Sequence, residues 1–197
     1  MELKLPTLEQ LREVYQTDLI PSFPAAELKP LHAIESMWRD GCYRPWCLFE
    51  GEKILGEAFL WLGNPGWGLL DYLCVSSGRR NGGTGGLLIR RMLEKNQDLR
   101  ILGESELPET APDPALAERR LGFYKRNQAR IADYDTEMFG VPYKTLYWAD
   151  APVADEELIR QHRSIYRSRF SPEKYEKYVR IPRSPGQAPA PRVPWDE

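Results

Sequence analysis

The chain has 197 residues, with 27 basic and 29 acidic side chains and a formal net charge of −2. That length suits one domain with a substantial core, and the even charge disfavours nucleic acid or an anionic membrane as partners. No apolar run reaches bilayer length and no secretory signal is evident, so a cytoplasmic protein is expected, with Cys42, Cys47 and Cys74 as reduced thiols. His32 and His162 lie far apart, which argues against a metal centre or a histidine-based triad.

Residues 1–5 alternate as a short first strand. Thr7 is placed to cap a helix running to about residue 19, with Leu8, Leu11 and Tyr15 at helical spacing. A second helix is predicted over 24–38, striped by Leu28, Leu31, Ile34 and Trp38 and stopped by Gly41. Strands at 43–49 and 53–61 flank the hairpin signal Glu50-Gly51-Glu52, and Gly63 to Gly66 turn into a third, apolar strand at 69–75. A glycine-rich loop then opens a helix whose buried face is Leu88, Ile89, Met92 and Leu93. Residues 101–107 read as a strand ended by Pro108. A helix starting at Asp113 or Pro114 follows, and 130–134 with 143–148 read as a closing antiparallel pair. This order predicts an α+β fold built on a mixed, mostly antiparallel sheet rather than a doubly wound one. Residues 1–150 are taken as the main domain. Residues 151–180 form a helical extension packed on it, with Leu158, His162, Ile165 and Tyr166 in phase, and 181–197 a proline-rich flexible tail.

The loop carries the chemistry. Arg79, Arg80, Asn81, Gly82, Gly83, Thr84, Gly85 and Gly86 join a core strand to a helix N-terminus. Glycines let backbone N–H groups close on an anion, the helix end adds partial positive charge, and the arginines suit phosphate oxygens. A Walker A loop is excluded, because Gly85 is followed by Gly86 and Leu87 rather than Lys and Ser/Thr. A dinucleotide fingerprint lacks its third glycine. The spacing that fits is R-x-x-G-x-G over 80–85, which resembles the acetyl-CoA signature of the GNAT acetyltransferase superfamily.

A second stretch supports the resemblance. Arg120, Phe123, Tyr124 and Arg126 match the superfamily's R-x-x-F-Y-x-R helix, although Gln128 stands where glycine is usual. Glu104, Glu106 and Pro108 look like the E-x-E-x-P strand end of a bacterial subset. Gly86 is a departure, since that helix position normally carries a side chain and Gly costs about 1 kcal/mol relative to Ala.

The resemblance, which spans about residues 1–180, implies a GNAT fold with a splay between the fourth and fifth strands. It implies acetyl-CoA as co-substrate and no metal. The pyrophosphate would lie on the glycine loop, and the pantetheine arm would run along the backbone of Leu73, Cys74 and Val75. An amine would attack the thioester directly. Tyr124 is the candidate proton donor to the leaving thiolate. It is equally the core-facing aromatic of an amphipathic helix.

The base is left open among Asp71, Glu104 and Glu106. Strand alternation puts Asp71 on one face with Leu73 and Val75, opposite Leu70, Tyr72 and Cys74. Glu104 and Glu106 share a face of the next predicted strand, and these acids could equally pair with arginines. The Cys74 thiol reads as a small core hydrophobe. If Glu57, Asp71, Glu104 and Glu106 meet in one cleft, the acceptor is a cationic amine, small molecule or peptide; separately solvated charges are the alternative. A homodimer and a non-catalytic acyl-CoA-binding module of the same fold are also kept open.

Overall fold

A computed structural model describes residues 1–79 and 82–196. The order is β1 (Glu2–Lys4), α1 (Leu8–Val14), a π-helical turn (Tyr15–Leu19), α2 (Ile20–Ser22), α3 (Leu31–Arg39), β2 (Tyr43–Glu50), β3 (Lys53–Leu62) and β4 (Trp67–Val75). After a short 3₁₀ turn come α4 (Thr84–Lys95), β5 (Arg100–Glu106), α5 (Pro114–Arg126), β6 (Arg130–Met138), β7 (Val141–Trp148), α6 (Asp155–Arg167), α7 (Pro172–Tyr178) and β8 (Val179–Arg180).

One sheet runs β1-β2-β3-β4-β5-β7-β6-β8. Every neighbouring pair is antiparallel except β4–β5. Thr7 caps α1 through a reciprocal box with Gln10, as the sequence predicts for that position. The expectation of an α+β fold on a mixed, mostly antiparallel sheet therefore holds, and the structure locates its parallel pair at β4–β5.

Two apolar cores lie on the sheet's two faces. Leu11, Ile34, Phe59, Trp61, Tyr166 and Trp195 belong to one, beneath α1, α3, α6 and α7. Leu60, Leu70, Leu88, Ile89 and Met92 belong to the other, beneath α4, with α5 residues Leu121, Phe123 and Tyr124 packed against it. Because α6 and Trp195 share the first core with the sheet, the fold draws no packing boundary at residue 150 or 181. Trp195 is buried, and its backbone N–H donates to the carbonyl of Ala25 at 3.0 Å.

The predicted helix over 24–38 starts later, at Leu31. Pro30 explains this. A residue before proline is pushed out of the helical region, so Lys29 stays outside the helix and Pro30 becomes the N-cap. The released backbone groups of Lys29 bond sideways: its N–H donates to the Tyr72 hydroxyl at 2.7 Å and its carbonyl accepts from Tyr15 at 3.0 Å.

Candidate functional site: a splayed sheet beside a glycine-fronted helix

The β4–β5 ladder runs from Trp67↔Arg100 to Leu70↔Gly103 and stops. Both strands continue, β4 to Val75 and β5 to Glu106, so they part into a V whose apex lies between Asp71 and Glu104. The α4 N-terminus follows β4. Gly83 is its N-cap at φ +80, a left-handed conformation that favours glycine, and no side chain caps the helix. The amides of Thr84, Gly85 and Gly86 belong to the first turn, where a helix supplies its own N–H groups with no intrahelical acceptor. A Cβ on Gly83 would meet nothing within 4 Å, so the cradle is open on that side. Arg79 is half-exposed and pairs with Glu50 at 3.0 Å, a contact of little energy that an anion can replace. The residues present fit a phosphate group. Arg80 and Asn81 lie outside the described residues.

A bulge on β4 revises the predicted faces. Phe59 pairs with Tyr72 and Leu60 with Leu70, so Asp71 is an extra residue opposite no partner. The extra residue shifts the alternation by one step. Asp71 lies on the side of Tyr72 and Cys74, and Leu73 packs toward the opposite core. Alternation alone had grouped Asp71 with Leu73 and Val75 and set Cys74 opposite; that grouping is corrected.

The four carboxylates do not converge as free acids. Asp71 accepts from Lys29 Nζ at 2.7 and 2.9 Å and from the Tyr43 hydroxyl. Glu104 is held by His162 Nε2 at 2.8 Å and by the Tyr166 hydroxyl at 2.9 Å, both from α6. His162 Nδ1 in turn lies 3.2 Å from the Tyr134 hydroxyl. Glu106 pairs with Arg120 at 2.8 Å. Glu57 is fully buried on β3, opposite Cys74 and near Asp18. Burial, then the Asp18 charge, push its pKa well above the ordinary carboxyl range. Cys74 Sγ donates to Ser22 Oγ at 3.3 Å and is buried, as a core thiol would be.

The sheet order, the single parallel pair and its splay match many solved structures. A protein from Bacteroides thetaiotaomicron ascribed to the GNAT acetyltransferase family superposes with a TM-score of 0.67 at 20% identity, covering 82% of this chain and 95% of that one. The fold is that of the GNAT acetyltransferases. A Bacillus subtilis acetyltransferase in complex with CoA gives a TM-score of 0.55 at 16% identity over 76% of this chain and 97% of its own. The ribosomal-protein-alanine N-acetyltransferase of Brucella melitensis gives 0.55 at 14% identity over 75% and 99%. No protein-family model and no curated protein matches the chain.

Within this GNAT fold, α5 lies beside the glycine loop. Phe123 comes within 3.1 Å of where a Gly85 Cβ would stand, and Val75 within 3.5 Å. Tyr124 follows, its ring edge-on to Phe123 and Trp148. Burial raises its pKa to about 12, so the phenol is protonated and able to donate at neutral pH.

Sequence reasoning passed over Glu27. Its backbone carbonyl accepts from the Tyr72 hydroxyl at 3.0 Å, and its carboxyl hydrogen-bonds with Tyr143, the register partner of Glu106. It thus spans from β4 to the β5–β7 side beyond the apex. Burial first, then the Glu106 charge, raise its pKa, with Tyr143, Arg120 and Arg192 opposing. Helical phasing over 24–38 offered no signal for it, because the part that holds Glu27, before Leu31, is not helical. Among the described residues, no group of three or more His, Cys, Asp or Glu is arranged to hold a metal, and no helix is long and apolar enough to cross a membrane.

Proposed function

We propose that this protein transfers an acetyl group from acetyl-CoA to a primary amine of a small molecule or peptide by direct attack. The observation that carries the reading is a sheet that opens between β4 and β5 immediately before an uncapped, glycine-fronted helix. The CoA complex of the similarly folded Bacillus subtilis acetyltransferase supports the choice of ligand.

In this reading the amides of Gly82, Gly83, Thr84, Gly85 and Gly86 hold the pyrophosphate, with Arg79, Arg80 and Asn81 around it. The β4 backbone at Leu73, Cys74 and Val75 lies beyond the last β4–β5 rung, Leu70↔Gly103, and pairs with the pantetheine arm as an added strand. Acetyl-CoA supplies the activated acyl group. The protein holds the amine against it, removes a proton and returns one to sulfur. Tyr124 gives the proton to the thiolate. Glu27 replaces Asp71, Glu104 and Glu106 as the candidate base, because burial raises its pKa above the ordinary carboxyl value and those three acids are tied to Lys29, His162 and Arg120. A cationic acceptor loses its basis in the same pairings.

Those pairings also favour a second reading, a non-catalytic acyl-CoA-binding module, since Asp71, Glu104 and Glu106 are all engaged by other side chains. Thiol release from acetyl-CoA across an amine panel, set against binding measured separately, decides between the two. Tyr124→Phe sharpens the test. It removes the acid without touching the loop, so kcat falls about 100-fold while donor affinity stays within twofold. Full turnover in Tyr124→Phe removes the residue from the mechanism, and binding without turnover by any amine selects the second reading.

A further inference from the structure

The apex of the V is filled by a primary amine of the protein itself. Beyond the last paired rung, Leu70↔Gly103, the next residues are Asp71 and Glu104. Lys29 Nζ lies 2.7 Å from one Asp71 oxygen and 2.9 Å from the other, and the Glu104 charge acts on it from the β5 side. The side chain is led inward. Lys29 is 2% exposed, and its ammonium lies 4.7 Å from the Trp61 ring, 5.4 Å from Tyr72 and 4.0 Å from Trp195.

A lysine–aspartate pair in a core commonly serves only to hold segments together. Two observations set this one apart. The pair sits on the bulge residue where the strands part, the position to which the acetyl-CoA reading brings the thioester. On the α3 side, a cleft of about 290 Å³ borders Lys29, Trp61 and Trp195, which gives room for an acetyl group on the Lys29 nitrogen.

We propose that Lys29 is an acetylation site of this protein, modified in cis by acetyl-CoA bound in the splay. The proposal rests on the acetyl-CoA reading above. The Lys29 ammonium gives one proton to Asp71, and the neutral amine attacks the thioester carbonyl. The N–C bond forms, the C–S bond breaks, and the second proton lost by nitrogen ends on sulfur as the free thiol. Asp71 then passes its proton to solvent. Burial already pulls the Lys29 pKa down, which makes the first transfer easier. The product is a neutral amide that no longer pairs with Asp71, so modification frees that carboxylate beside the splay.

The test uses the full chain with isotopically labelled acetyl-CoA. Donor binding (by thermal shift) and amine turnover are measured on the same samples. Trypsin leaves Lys29 uncut because Pro30 follows, and Lys29 is the sole lysine of peptide 13–39. The expected result is one labelled acetyl group on that peptide, formed with a first-order rate independent of protein concentration. Lys29→Arg keeps a cation against Asp71 and abolishes the label on that peptide. A blank peptide 13–39 with donor bound and amines turned over overturns the inference and leaves the function standing. Label confined to exposed lysines such as Lys4, Lys53 and Lys125 overturns it as well. A rate that rises with protein concentration excludes the cis reaction. Absence of both binding and turnover removes the two readings together.

Discussion

Asp71→Asn separates two accounts of the acid at the apex. If Asp71 were the general base, the isosteric amide would abolish proton abstraction, lowering kcat about 100-fold or more with little change in stability. The structure implies the opposite emphasis. The Lys29 and Asp71 side chains are 3% and 6% exposed, so the substitution strands an ammonium in the core. Breaking a buried pair by removing one partner costs about 3–5 kcal/mol. The aromatic rings around Lys29 retain part of their attraction for the cation, which places the expected loss near the lower end, about 3 kcal/mol. For a chain of 197 residues this corresponds to a fall in Tm of about 6–12 °C. Urea melts at neutral pH measure the loss directly. The double variant Lys29→Met with Asp71→Asn removes both charges, and it should be less destabilised than Asp71→Asn alone. A single variant within about 0.5 kcal/mol of the parent refutes the pairing.

Glu57→Gln addresses the carboxyl beneath the π-helical turn. Its folded pKa is raised by burial above the ordinary 4.5, so the folded state binds its proton more tightly than the unfolded state. Its contribution to stability is therefore complete below about pH 4.5 and is lost as pH rises toward the folded value, at about 1.4 kcal/mol per pH unit in that window. Denaturant melts from pH 4 upward should show that slope in the parent and its absence in Glu57→Gln; parallel profiles contradict the assignment. Gln128→Gly tests the end of α5. Gln128 has φ +70 and follows the C-cap, with the Ala129 N–H returning to the Tyr124 carbonyl at 3.1 Å. Glycine relieves the left-handed strain, so thermal melts should show a gain of about 1 kcal/mol; a loss means that the Gln128 side chain stabilises the cap by some other contact.

Much of this was legible because it depends on local periodicity. The strand-to-glycine-loop-to-helix order and the phase of the Tyr124 helix follow from spacing, whereas the splay between β4 and β5 came only with the family resemblance. The contents of the apex did not. A bulge adds one residue to one strand, and in a period of two that single step moves Asp71 to the other face without altering the apolar pattern. Lys29 was hidden for a related reason. The stripe of Leu28, Leu31 and Ile34 reads as continuous helix, while Pro30 breaks it and turns Lys29 into the sheet. The partners Glu27, His162, Tyr166 and Trp195 arrive from segments far away in the chain, where composition records only their presence.

Gly86 shows how the same ambiguity reaches the motif itself. Read as part of an anion loop, it is a departure that weakens the helix. In the fold, a Cβ there would stand 2.9 Å from the Asn127 side-chain oxygen, and one on Gly85 would stand 3.1 Å from Phe123. Asn127 is in turn fixed, its side-chain N–H₂ donating to the Phe123 carbonyl at 2.8 Å and its own carbonyl accepting from Trp148 at 2.8 Å. Both glycines therefore have a packing reason to be glycine, because they let α5 approach the first turn of α4. Of these three glycines, Gly83 alone needs its identity for backbone conformation. The glycine count of the loop thus records two demands at once, an open helix end and a close α4–α5 contact. The second demand is what brings the Tyr124 helix against the first turn of α4.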